Sequence, residues 1–264
     1  MVNDELGKRM KRYESVPQIS LTRRTPVIIR IDGKAFHTFT KYLNKPWDNI
    51  LHAAMDNTML LLAQNIQGCV FAYNQSDEIS LILTDYETLN TDAWFGYEVE
   101  KLTSVSASMA TLYFNQEFRR LAEQEIWDWH HSLIPQSMEI QREANEYHSH
   151  LNDCIKRGAL FDSRCFNIPK EEVVNCIYWR QLDAVRNSIQ SCGQYYFSQK
   201  ELHRKTTKDI LEMLKTEKGV SWETMPICAQ RGTCCYKNED GVWVLDKTMP
   251  ILKGEGRELL ERLI

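Results

Sequence analysis

Pro26-Val-Ile-Ile-Arg-Ile31 is a short run of largely β-branched apolar residues that halts at Asp32-Gly33-Lys34. Such a run suits a strand covered on both faces, and it delivers a carboxylate to the strand's end. Two further runs, Cys69-Val-Phe-Ala-Tyr73 and Ile79-Ser-Leu-Ile-Leu83, flank a polar turn and predict a hairpin. Asp48 to about Asn65 has helical periodicity with Asp48 as a fitting N-cap, and a long helical pattern returns from Trp94 to Arg120. Strand, helix, hairpin, helix is the order of a split β-α-β sheet of the ferredoxin type. The expected class is α+β, an antiparallel sheet with flanking helices.

The rest of the chain extends this core. The polar start, to about Tyr13, reads as a charged helix. Residues 116–158 are strongly helical and polar, broken at Pro135, and read as a helical insertion between a core at 1–115 and a part at 159–264 that completes one unit. In that last part Phe161 to Pro169 is extended and Glu171 to Tyr195 is helical. Ser198 to Lys215 is another helix, capped at Thr206 or Thr207. Strands follow at Thr233–Lys237 and Val242–Leu245, joined by the turn Asn238-Glu-Asp-Gly241. With 43% hydrophobic residues the chain can bury a sizeable core. A formal net charge of −4 means that any surface for nucleic acid must be a local basic patch, or one assembled between subunits. No segment has the length and apolarity of a membrane span, and the start lacks the apolar core of a signal peptide. Eight scattered cysteines without a CxxC pair read as reduced cytoplasmic thiols, mostly core. The vicinal Cys234-Cys235 pair is the one place where a soft metal or a redox switch enters the reading.

Two constellations carry chemistry. In Arg30-Ile-Asp-Gly-Lys-Ala-Phe-His37, Asp32 ends a strand, Gly33 lets backbone approach a ligand closely, and the following amides can bond phosphate oxygens. Lys34 and His37 add donors. In Tyr73-Asn-Gln-Ser-Asp-Glu-Ile-Ser80, Asp77 and Glu78 fall at the hairpin tip. Mg2+ takes one or two carboxylates plus phosphates and water, so acids on neighbouring strand ends suit a two-metal site. His130-His131 and His148-Ser-His150 lack the i, i+4 spacing of helical zinc ligands and read as surface histidines. The basic stretch His203-Arg-Lys205 with Lys200, beside Tyr195, Tyr196 and Phe197, is a candidate for RNA, as are Arg180, Arg186 and Asn187.

Together the strings RIDGKAFHTFT and YNQSDEISLIL resemble the two metal-binding motifs of the tRNA-His guanylyltransferase family and its guanylyltransferase-like branch. Lys45-Pro-Trp-Asp48, Lys101 before a Ser/Ala-rich helix, Phe161-Asp-Ser-Arg164 and Trp179-Arg-Gln-Leu-Asp183 add to the likeness. The resemblance implies a palm-like catalytic core that uses two Mg2+ ions, with ATP and GTP as substrates, to add nucleotides to the 5′ end of tRNA in the 3′-to-5′ direction. It implies Asp32 and Asp77 as metal carboxylates, the Gly33 carbonyl as a further metal contact, and Glu78 as support for the site. It also implies that Gly33, Lys34, Ala35, Phe36, His37, Lys45, Ser76 and Lys101 hold triphosphates, and that the chain forms a homotetramer. The sequence departs from the family where Val185-Arg186-Asn187 replaces a His-Ile-Asn string, which favours the guanylyltransferase-like branch and templated 5′-end repair over guanosine addition to tRNA-His, and where Glu98 replaces an arginine before the triphosphate lysine, a change that bears on triphosphate binding. A palm-type dinucleotide synthase and a catalytically silent RNA-binding protein are the rival readings.

Overall fold

β1 (Val27–Gly33), β2 (Cys69–Gln75) and β3 (Glu78–Leu83) bring the two acidic motifs side by side. In this computed structural model, which describes residues 5–132 and 137–264, β1 is antiparallel to β3, with Val27 opposite Leu83 and Asp32 opposite Glu78. β4 (Phe161–Asn167) pairs with the other edge of β1, placing Asp162 beside Asp32. β5 (Thr233–Lys237) and β6 (Trp243–Asp246) extend the sheet beyond β2, giving the antiparallel order β4-β1-β3-β2-β5-β6. The first four strands in that order form two interlocked split β-α-β units, as the element order predicts.

Side-chain alternation divides the core between two faces. Val27, Ile29 and Ile31 pack against α3 (Asn49–Asn65) and α4 (Val99–His130). Ile28, with Phe71, Tyr73 and Ile82, packs against α6 (Lys170–Tyr196). β3 is buried at every position because it is central and covered on both sides. Asp48 caps α3, its carboxylate accepting from the Leu51 N–H at 2.9 Å. Pro169, where a missing N–H costs nothing, precedes α6, and Glu171 and Glu172 in its first turn complement the helix dipole.

The other helices are α1 (Glu5–Ser15), α2 (Phe36–Phe39), α5 (Met138–Arg157), α7 (Gln199–Leu202), α8 (Thr207–Lys218), α9 (Ile227–Arg231) and α10 (Arg257–Glu261). Thr206 is the cap of α8, within a capping box closed by Asp209. A third cluster, built on Ile189, Cys192, Phe197, Ile210 and Leu214, joins the end of α6 to α8. Among the described residues no helix is long and apolar enough to cross a membrane.

The expected boundary at 115/116 is corrected. α4 runs unbroken through it, and Phe114, Phe118 and Ala122 bury one continuous stripe. The segment expected to be an insertion also enters the core, through Leu151 and Cys154 of α5. Pro135 lies outside the described residues. The histidine reading needs correction too: His148 is 5% exposed, its ring against Trp129, because the polar α5 turns that side inward.

Candidate active site

Asp32 sits on one rung of the sheet, between Asp162 of β4 and Glu78 of β3. Its neighbour Gly33 donates its N–H to the Asp77 carbonyl at 3.0 Å, so the two motifs are stitched together through their backbones. A Cβ on Gly33 would lie 2.2 Å from the Phe36 ring, so only glycine fits there. Ala35 (φ 53°) and Ser76 (φ 54°) adopt the left-handed conformation on the two turns that carry the acids. Strain of this kind in non-glycine residues persists where surrounding structure enforces it.

Charge at the site is unbalanced. Burial pushes the Asp77 carboxyl above the usual range, and the negative field of Asp32 adds to it. Burial also pushes Glu78 up, but the Arg180 guanidinium opposes this with a two-pronged grip at 2.6 and 2.7 Å. Arg180 also bonds Asp183 at 3.0 Å and is 8% exposed. The expectation that Arg180 contacts RNA is therefore corrected: it is the buried counter-ion of Glu78. Asp32 and Asp77 keep no such partner among the described contacts, and their hard oxygens suit Mg2+. Among the described residues no group of three or more His, Cys, Asp or Glu could hold a metal by itself. Two carboxylates alone leave most ligand positions of such an ion to phosphate and water oxygens.

A cavity of about 570 Å³ opens beside the acids. Gly33, Ala35, Phe36, His37, Lys45, Ser76 and Asp77 line it, and Asn187 enters from α6. Lys34 is exposed and does not line it. Lys101 lies near the start of α4, does not line the cavity, and pairs with Glu98 at 3.0 Å. Glu98 thus occupies the lysine's charge. Burial holds the Lys45 ammonium below its ordinary pKa, with Asp48 pulling the other way.

Several residues of this site escaped the sequence reading. Asp56 of α3, buried, accepts from the Asn74 side chain at 3.0 Å and pairs with Lys247 at 3.3 Å, tying α3, β2 and the chain after β6 together behind the cavity. Trp47 and His52 stack with ring centroids 3.3 Å apart on the cavity wall. Burial, then Lys45 and Lys247, lower His52 to about 3. An apolar stripe on a helix gives no sign that one histidine within it faces a ligand cavity.

Of the RNA candidates, Arg186 pairs with Asp183 and Asn187 bonds the same carboxylate at 3.3 Å. Lys200, His203 and Lys205 are exposed, and the last two line a second cavity with Arg204. Gln194 lines both cavities. Cys234 and Cys235 are buried in separate clusters on opposite faces of the sheet, so they do not converge on a metal, and burial raises both thiols.

A ferredoxin-type sheet with acids on adjoining strand ends beside a nucleotide-sized cavity is the build of a palm-like nucleotidyltransferase. Residues 7–169 match the family model for tRNAHis guanylyltransferase, and the chain belongs to that family. It is similar to a bacterial tRNA(His) guanylyltransferase-like protein solved in complex with ATP, at 38% identity and TM-score 0.81 over 98% of this chain and 99% of that one. A bacterial tRNA(His) guanylyltransferase-like protein in complex with GTP matches at 35% identity and TM-score 0.76, with the same coverage. The Kluyveromyces lactis tRNA(His) guanylyltransferase is 26% identical over 243 residues, 84% of this chain and 88% of that one.

Proposed function

We propose that this protein adds nucleotides to the 5′ end of tRNA in the 3′-to-5′ direction, using ATP and GTP in the cavity beside Asp32 and Asp77. The observation that carries the reading is that Asp77 lines one cavity wall with Gly33, Ala35, Phe36 and His37, with Asp32 close enough to raise the Asp77 carboxyl, in a chain whose similar proteins were solved with ATP and with GTP. Asp32, Asp77 and the Gly33 carbonyl would hold two Mg2+ ions, which supply charge neutralisation on the phosphates and activation of the attacking oxygen.

The chain's own residues position the reactants. Phosphoryl transfer asks for in-line alignment and neutralised charge more than for a protein nucleophile. The turn after Gly33 brings backbone amides to the triphosphate, Ser76 and His37 add donors, and Lys45 adds a point charge. Glu78, held by Arg180, fixes the start of β3 directly opposite Asp32 and next to Asp77. Lys200, His203 and Lys205 would lead the tRNA toward the cavity past Gln194. Templated repair of shortened 5′ ends is the preferred activity, because Val185-Arg186-Asn187 stands where a His-Ile-Asn string marks dedicated guanosine addition. Duplex pairing then selects the nucleotide, and the protein reads backbone and shape. A homotetramer working in the cytoplasm completes the reading.

The test mixes the protein with Mg2+, ATP, labelled GTP, and tRNAs that are intact or lack their first nucleotide, then maps the 5′ ends. Extension that follows the template base, lost in Asp32→Asn and Asp77→Asn, is expected. Nucleotide-only products would instead mark a dinucleotide synthase, and normal turnover in either variant would reject the metal assignment.

A further inference from the structure

One face of α5 is spent on the loop that walls the nucleotide cavity. Tyr147, His150, Cys154 and Arg157 follow the i, i+3, i+7, i+10 spacing of a single helical stripe. Each of the four meets residues between Phe36 and Asp48. The Tyr147 hydroxyl donates to Asp48 Oδ2 at 2.8 Å. The His150 ring stacks on Tyr42 with centroids 4.8 Å apart. The Cys154 thiol lies 3.3 Å from the Phe39 carbonyl, and Arg157 donates to the Thr38 carbonyl at 3.2 Å. Phe36, Thr40, Asn44, Lys45 and Asp48 of the same loop line the cavity.

Asp48 is where this grip bears on the ligand. Its carboxylate is 2% exposed and accepts three hydrogen bonds: from Leu51 N–H at 2.9 Å, Asn44 N–H at 3.0 Å and Tyr147 O–H. A buried carboxylate that loses a donor must find another or move toward water. The nearest adaptable segment is Asn44–Trp47, which carries Lys45 and one wall of the cavity. Burial and the Asp48 charge push the Tyr147 phenol well up, so it stays a donor at all working pH values.

We infer that α5 is a positioning element of the nucleotide cavity, and that Tyr147, which does not line it, sets the placement of the Asn44–Asp48 wall through its bond to Asp48. The inference rests on the nucleotide reading above for its ligand, but not for its mechanics.

The test is Tyr147→Phe, which keeps the ring and removes only the hydroxyl. Hydrogen exchange should quicken across residues 36–48, Asn44 most of all, while β1 and β3 amides stay as protected as before. Binding of ATP and GTP should weaken by about tenfold, the scale of one hydrogen bond to a charged group. Turnover at saturating nucleotide and binding of tRNA should hold, so the loss appears in KM and not in kcat. His150→Ala should shift loop exchange in the same direction. Uniformly faster exchange over the whole chain, or unchanged nucleotide affinity beside a loosened loop, overturns the inference. Failure of the unmutated protein to bind nucleotide would instead refute the proposed function, and the exchange measurement would still decide whether α5 holds the loop.

Discussion

At Gly33 the absence of a side chain is a spatial requirement. Phe36 fills the place where a Cβ would go, and its ring packs at 5.2–5.4 Å on Phe39, Phe114 and Phe161. Gly33→Ala must push that ring out of the cluster. Overpacking of this kind costs about 1–3 kcal/mol, and the turn that faces the triphosphate moves with it. The expected outcome is a lower urea midpoint together with loss of nucleotide binding; a variant that binds ATP normally would show that the turn is not used. His52 gives a pH effect of definite sign. Burial lowers its folded pKa to about 3, whereas an unfolded histidine titrates at about 6.5. Between those values the unfolded chain binds a proton that the folded chain refuses. Its contribution is therefore fully present above about pH 6.5 and declines as pH falls toward 3. Comparing the protein with His52→Gln in urea at pH 7 and pH 5 should show a difference of about 1–2 kcal/mol in their pH dependence. Equal slopes would mean that His52 titrates normally. Asp32 and Asp77 were legible in sequence because one comes at the end of an apolar strand and the other at the tip of an apolar hairpin, placements that favour a cleft. Arg180 was not, because an arginine on a helix looks alike whether it meets solvent or a carboxylate 102 residues away.

Elements were legible where a period was long and its ends were marked. β1, α3 and the β2–β3 hairpin were all visible in that way, and Asp48 and Thr206 act as caps as expected. The end of α4 was not, because the polar residues after Gln116 imitate a solvent-facing insertion while Phe118 and Ala122 continue the buried stripe at wide spacing. What joins α4 to β4 was equally hidden. Asn115 accepts from the Ala159 N–H at 2.8 Å and donates to the Ala159 carbonyl at 2.9 Å, satisfying both backbone groups just before β4 begins. Its side chain copies the pairing of a neighbouring strand, a role set by a partner 44 residues on. Asn115→Ala leaves both groups of Ala159 without these partners, which should cost about 2–3 kcal/mol in chemical denaturation. Exchange should quicken at Ala159 and Phe161 before it does so in β3. Undiminished stability would indicate that water replaces the side chain freely.

Over the whole molecule the question is how a chain of net charge −4 holds a polyanion. Several of its cations are committed to carboxylates: Arg23 to Asp85, Arg120 to Glu117, Arg180 to Glu78, Arg186 to Asp183 and Lys247 to Asp56. Arg204 and Lys205, between α7 and α8, line a cavity that shares Gln194 with the first cavity, and the exposed Lys200 precedes them on α7. If tRNA reaches the acids along that path, these residues supply phosphate contacts, and each contact releases counter-ions on binding. Replacing all three by glutamine should then lower the slope of log K against log salt for tRNA by about 2. Affinity should fall alike for tRNAs of any sequence, because phosphates carry no base identity. Binding of ATP and GTP should not change, since the three side chains stand outside the first cavity. The measurement is a set of tRNA titrations across a salt series, with nucleotide titrations beside them. An unchanged slope would move the tRNA path to another face of the molecule, and a loss of nucleotide binding would show that the two cavities act as one.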